Sequence, residues 1–241
     1  MILSILLVLV LAYLVGSVPF GLLIVWIARR KDLRSIESGR TGGTNAMRAA
    51  GFLAGAATAI FDVLKGTAAV WIAVWLTPDL AWVKVAAGLL AILGHNYSVF
   101  LIESRAKGGI RLRGGAGGAP AFGAAIGLWA PSAYIIFPLA LLVFLLIGYA
   151  SVTTMSIAFF ATVIFTVRAI QGESPWIYVA YGIGALAAVL WALRPNLKRL
   201  REGTERVVGL RAYYLKRQEK KDAAVDAKTV KSRRTGQENP A

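Results

Sequence analysis

The stretch APAFGAAIGLWAPSAYIIFPLALLVFLLIGYASVTTMSIAFFATVIFTV, residues 119–167, contains no Asp, Glu, Lys or Arg. A helix needs about 20 apolar residues to cross a hydrocarbon core, so this run is too long for one crossing. Its parity follows from its flanks. The segment 29–50 carries six Lys and Arg and the segment 103–118 carries four, whereas 77–84 has one Lys and one Asp and 169–175 only Glu173. Basic loops stay on the cytoplasmic side of a membrane. The run therefore starts inside and ends outside, which takes an odd number of crossings. Three short spans satisfy this, with breaks near Pro131 and near residues 148–154.

The remaining spans follow. The first covers roughly residues 2–28 and is interrupted at Gly16-Ser17-Val18-Pro19; it lacks a basic segment before its apolar stretch and reads as an uncleaved span rather than a signal peptide. Others fall at about 52–76, 81–102 and 174–193. The fold expected is an all-α integral membrane protein of about seven transmembrane helices, several of them short, with the amino terminus outside and substrate-binding loops on the cytoplasmic side. From Arg194 to its end the chain holds 14 Lys and Arg against 6 Asp and Glu. Residues 194–215 read as a surface helix, and the composition beyond about 216 reads as a disordered tail against anionic headgroups.

Composition agrees with a membrane bundle. The 241 residues are 57% hydrophobic and only 16% charged, with a mean hydropathy of +0.64, where soluble domains are about 25% charged. The absence of cysteine excludes disulfides, thiol catalysis and Cys-ligated metals, and the single histidine, His95, argues against a His-based metal site. The net charge of +15 is read as attraction to anionic lipid and as the orientation signal, not as nucleic-acid binding.

Three polar constellations fall on the cytoplasmic side. Residues 37–48, ESGRTGGTNAMR, offer backbone N–H groups at the glycines, hydrogen bonds from Ser38, Thr44 and Asn45, and the guanidinium of Arg48, a set able to cradle phosphate. Residues 107–118, KGGIRLRGGAGG, combine Arg111 and Arg113 with Gly114, Gly115 and Gly117 just ahead of an apolar helix, as an anion-binding nest does; the Lys-Ser/Thr of a Walker loop is missing. Residues 194–205, RPNLKRLREGTE, contain Asn196. Alone, the first could equally be a basic loop that only orients the chain and the second a mobile linker, while the third by itself reads as a snorkelling basic juxtamembrane segment. Within the second span, Asp62 and Lys65 are three residues apart and share a helix face, where they can pair. His95, near a helix end, could be a general base but is read as a hydrogen-bonding scaffold. A His-x4-Asp acyltransferase base is excluded for it, since Phe100 occupies the acid's place.

In order and spacing these segments resemble the bacterial acyl-phosphate:glycerol-3-phosphate acyltransferase family of the PlsY type, over residues 10–209. Gly16-Ser17-Val18-Pro19 fits the family's opening. Ser38 through Arg48 follow its motif Ser-Gly-Asn-x-Gly-Ala-Thr-Asn-x-x-Arg. Asp62, Lys65 and Gly66 match Asp-x-x-Lys-Gly, and Gly94-His95-Asn96 its Gly-His. Residues 148–151 and 196–205 echo its last two segments. The resemblance implies seven spans and one membrane-embedded acyltransferase-like domain over 1–209, with 210–241 as a basic, disordered cytoplasmic tail. It implies transfer of an acyl group from acyl phosphate to the 1-hydroxyl of glycerol 3-phosphate in phospholipid synthesis, at a bacterial plasma membrane. It implies no cofactor and no metal, and membrane lipids as the surroundings, without an obligate protein partner. Ser38 and Arg48 would contact substrate phosphate as the catalytic pair, with Thr44, Asn45, the glycine loop and Asn196 completing the site.

Two motifs depart from the family pattern. Ala116 stands where the second motif, Gly-Gly-Lys-Gly, has its lysine, and Leu193 and Pro195 replace the histidine and glutamate of the third. Relocation of the missing charge to Lys107, Arg111 or Arg113 is the expectation drawn from the loop's own cations. A degenerate family member that binds lipid or a phosphorylated metabolite stands as the alternative, ahead of a small transporter, which should carry polar residues at midplane in several spans.

Overall fold

A computed structural model of the chain describes residues 1–104, 109–219 and 221–222. The first apolar stretch is divided into α1 (Ile2–Ser17) and α2 (Phe20–Arg29). Pro19 has no N–H to continue the ladder, and the Val18 carbonyl at the break accepts a hydrogen bond from Lys65 Nζ at 2.9 Å. A short 3-10 turn, Leu33–Ser35, leads to α3 (Gly43–Ala50); Gly51, at φ 91°, separates it from α4 (Phe52–Leu76). Then come α5 (Ala81–Asn96), β1 (Ser98–Ser104), β2 (Ile110–Arg113), α6 (Gly118–Leu128), α7 (Ser132–Leu142) with a π turn over Val143–Ile147, α8 (Ala150–Ile170), α9 (Ile177–Ala192) and α10 (Arg194–Arg201).

The breaks in the charge-free run lie between Leu128 and Ser132 and between Ile147 and Ala150, where the sequence places them. Ile2–Arg29, Phe52–Leu76 and Ala150–Ile170 are long and apolar enough to cross a membrane, and the pair α9–α10, bent by 67°, makes a fourth if taken as one span. Helix α5, helix α6 and the stretch Ser132–Ile147 are apolar but shorter.

Helix α4 packs against α1 and α6, α1 against α5, and α8 against α9. Small residues permit the close approach, as is usual where lipid offers no hydrophobic drive between helices. A Cβ at Gly123 would run into the Val63 carbonyl, and one at Gly66 into Pro120. The interior between α4, α5, α6, α8 and α9 is filled by Val70, Ile92, Ile136, Phe165 and Tyr181. The Tyr181 hydroxyl donates to the Ala121 carbonyl at 2.5 Å. Large apolar side chains such as Phe52, Leu53, Phe137 and Ile170 point outward, the pattern of a bundle facing lipid.

Two expectations are corrected. The chain is not all-α: the span expected to end at 102 ends at Asn96, and Ser98–Ser104 forms a strand paired antiparallel with Ile110–Arg113, Glu103 opposite Arg111. Val99, Phe100 and Ile102 favour extended backbone, and the cross-strand acid–arginine pairing supplies what an isolated loop lacks. The surface helix expected over 194–215 is also broken. Helix α10 ends at Arg201, Gly203 and Gly209 adopt φ 70° and 67°, and a second helix occupies 209–219. The rest of the tail, 223–241, lies outside the described residues, as does Lys107.

Candidate active site

The three polar segments meet at one end of the bundle and enclose a cavity of about 470 Å³. Ser38, Thr44, Asn45 and Arg48 reach it from the first segment, Ala116 and Gly117 from the second, and Asn196 from the third. Ala150, Ser151, Thr153 and Thr154 at the start of α8 add a wall that the sequence reading did not assign.

The first segment is shaped by Asn45. Its amide Nδ2 donates to the carbonyls of Leu33 (3.2 Å), Ile36 (3.0 Å) and Arg40 (2.8 Å), so this buried side chain fixes the loop. The loop turns through Glu37 at φ 51° and Gly39 at φ 65°, and a non-glycine residue in the left-handed region marks local strain at the cavity rim. Glu37 pairs with Arg206, tying the first segment to the third. Ser38 Oγ accepts the Arg40 amide at 3.4 Å and lines the cavity. Arg48, on α3, is half-buried; burial pushes its guanidinium below the usual arginine range, partly offset by the charge of Glu205. Arg48 forms no ion pair among the described residues, so its fork is open to an anion in the cavity.

The glycine loop is pinned from both sides. The Thr41 amide donates to the Gly114 carbonyl at 3.3 Å, and the Gly115 amide to the His95 carbonyl at 2.9 Å. Gly115 lies against the His95 imidazole so closely that a Cβ would collide with the ring. Gly117, at φ 90°, turns the chain into α6. Beneath this loop, Lys65 Nζ contacts Asp62 Oδ1 at 2.8 Å and His95 Nδ1 at 2.9 Å. The three groups form a buried knot joining α4, α5 and the Pro19 break, and Asp62 and His95 also line the first cavity.

Arg111 and Arg113 are not beside Ala116. Both line a second cavity of about 700 Å³, together with Gly114, Gly115, Arg194 and Arg199. Arg113 Nε is 2.6 Å from Glu103 Oε2, so its charge is already matched across the hairpin. Ser38, Arg40, Asn196 and Arg199 face both cavities. Asn196 Nδ2 donates to Glu205 Oε1 at 2.9 Å, and the chain beyond returns to Gly148–Tyr149 through a bridge between Tyr149 and Val207.

Sequence reasoning missed Arg40, Arg199 and Glu205. For Arg40 a signal existed: it holds the third place of the first motif, where the family pattern has asparagine. For Arg199 and Glu205 the signal was the third polar segment itself, 194–205, but their place at the cavity depends on the chain folding back at Gly203.

With this geometry in hand, the comparisons are specific. The family model described as glycerol-3-phosphate acyltransferase matches residues 6–203. The glycerol-3-phosphate acyltransferase of Thermus thermophilus is 42% identical over 206 residues, 84% of this chain and 94% of the relative. That of Rubrobacter xylanophilus is 40% identical over 202 residues, 84% and 94% of the two chains. The crystal structure of PlsY, an integral membrane glycerol 3-phosphate acyltransferase, in its glycerol 3-phosphate form aligns with a TM-score of 0.73 at 31% identity, covering 86% of this chain and 96% of that one. Its lysophosphatidic acid form aligns with a TM-score of 0.72 at 30% identity, covering 88% and 99%.

Proposed function

This chain belongs to the glycerol-3-phosphate acyltransferase family, and from that premise we propose that it moves an acyl group from acyl phosphate to the 1-hydroxyl of glycerol 3-phosphate. The observation that carries the reading is the convergence of Ser38, Arg48, Gly117 and Asn196 on one cavity at the end of an apolar bundle. One substrate can reach such a cavity from water and the other from the bilayer.

The chemistry asks little of the protein. The hydroxyl oxygen attacks the acyl carbonyl carbon, the new ester C–O bond forms, and the bond from that carbon to the phosphate oxygen breaks. The departing phosphate takes the hydroxyl proton, leaving lysophosphatidic acid and inorganic phosphate. An acyl phosphate is already activated, so no Ser-His-Asp set is needed, and the chain contributes positioning and charge stabilisation. Arg48 and Ser38 hold phosphate oxygens, and Ala116, Gly117 and Gly118 of the glycine loop line the same space. Thr44 and Asn45 keep the loop in shape. Arg111, in the second cavity, draws the water-soluble phosphate ester inward, while Arg113, paired with Glu103, holds the wall of that cavity.

The same premise supports seven crossings within a single domain over 1–209. The short helices α5 and α6 and the stretch Ser132–Ile147 then act as thin spans, with the amino terminus outside, the polar cavity on the cytoplasmic side and the basic tail beyond. The test is direct: purified protein, acyl phosphate and labelled glycerol 3-phosphate. Formation of labelled lysophosphatidic acid with release of phosphate is the outcome expected. Binding of both substrates without transfer would instead assign the chain to the catalytically degenerate class.

A further inference from the structure

Arg40 is a part-buried cation held by backbone carbonyls rather than by an ion pair. It leaves the first polar segment, passes between the two cavities and lines both. One guanidinium nitrogen donates to the Gly115 carbonyl at 3.1 Å, and the other terminal nitrogen donates to the Ala192 carbonyl at 2.5 Å, where α9 ends. The head group is thus clamped between the glycine loop and α9.

The acids of the neighbourhood are taken. Glu37 pairs with Arg206, Glu103 with Arg113 and Arg34, and Glu205 binds Asn196 and lies 3.8 Å from Arg199. Among the described residues no carboxylate forms an ion pair with Arg40. Burial and the nearby charge of Arg199 both oppose the guanidinium's charge, and the more distant carboxylate of Glu205 offsets them only in part. A part-buried charge without a paired counter-charge is costly unless function retains it. Five N–H donors belong to a guanidinium, and two carbonyl contacts leave donors over. Among the described residues, the glycine loop it touches brings no cation to the first cavity, since Ala116 is the side chain there.

We propose that Arg40 is a phosphate-binding residue, supplying at the junction of the two cavities the positive charge that the glycine loop lacks at Ala116. The ligand class is a phosphate monoester or inorganic phosphate, whose oxygens match a planar guanidinium fork. The proposal rests on the acyl-transfer reading for its substrate, but its test does not. The bland alternative is that Arg40 only staples the glycine loop to α9.

The test compares wild type, Arg40→Gln, Arg40→Lys and the double variant Arg40→Gln/Ala116→Lys. Two quantities are read: the KM for glycerol 3-phosphate, and the concentration of inorganic phosphate that half-maximally protects the purified protein from thermal unfolding. Loss of a charged contact implies a rise of about tenfold or more in both for Arg40→Gln. The double variant should recover most of that rise, because a lysine at 116 returns a cation to the same space. Should Arg40→Gln fail to fold, Arg40→Lys carries the test, with a rise of roughly threefold to tenfold as the fork is lost. A staple alone would lower the melting temperature while leaving phosphate protection at the wild-type concentration, and that result would overturn the proposal. Wild-type protein that binds phosphate but transfers no acyl group would sink the functional reading and still leave Arg40 judged by the protection assay.

Discussion

The buried knot at Lys65 offers the sharpest test of how this fold is held. Lys65 Nζ makes three contacts: Asp62 Oδ1 at 2.8 Å, His95 Nδ1 at 2.9 Å and the Val18 carbonyl at 2.9 Å. Its side chain is 2% exposed and that of Asp62 1%, so water does not replace any of them. Lys65→Met keeps the length of the side chain and removes the charge. Removing one member of a buried pair strands the other, at a cost of about 3–5 kcal/mol. For a chain of this size each kcal/mol shifts melting by about 2–4 °C, so the fall should be roughly 6–20 °C. Asp62→Leu alone should be comparably damaging, because it leaves the lysine unpaired. The double variant, with both charges gone, should melt no lower than the worse single one, since the stranded charge is the main cost. Thermal unfolding in one detergent, at fixed protein and lipid concentration, measures all four. If Lys65→Met melts within about 2 °C of wild type, or the double variant loses the sum of the two single losses, the knot is not what holds α4 to α5 and to the Pro19 break. A second readout separates structure from chemistry: well below the melting range, transfer by a folded Lys65 variant should stay within about threefold of wild type.

Four further outcomes are expected. Arg48→Lys should lower kcat/KM by about tenfold or more with unchanged melting, because a lysine lacks the planar fork; wild-type kinetics would reduce Arg48 to an orientation charge. Gly115→Ala should cost about 1–3 kcal/mol of stability and reduce transfer, as the new methyl meets the His95 ring, and thermal melting alongside initial rates reads both. Arg111→Ala should raise the KM for glycerol 3-phosphate at low salt and lose that effect near 1 M salt, where the Debye length is about 3 Å; a salt-independent effect would mean direct contact rather than steering. Because the chain has no cysteine, Ile110→Cys gives a single label site on the exposed hairpin. A membrane-impermeant maleimide should reach it only from the cytoplasmic side, and labelling from outside would reverse the topology.

Much of this protein was written in its sequence. Apolar length and the absence of charge over 119–167 set a helical bundle with breaks at Pro131 and Gly148, because an unpaired backbone group or a stray charge is too costly in hydrocarbon to be placed freely. Spacing alone placed Asp62 and Lys65 on one helix face, and glycines among arginines marked the segments that line the two cavities. The hairpin at 98–113 was not legible, since its strands are stabilised by pairing with each other and by Glu103 meeting Arg113, contacts that no local periodicity announces. Nor did the sequence show where the missing charge went. Arg111 and Arg113 stand closer to Ala116 in the chain, yet the hairpin carries both to the second cavity, while Arg40, 76 positions away, is bonded to the carbonyl next to it. Helix propensity and burial act within a few residues and can be read along the chain. Which cation faces which cavity depends on how distant segments are pinned together, and only the tertiary structure decides that.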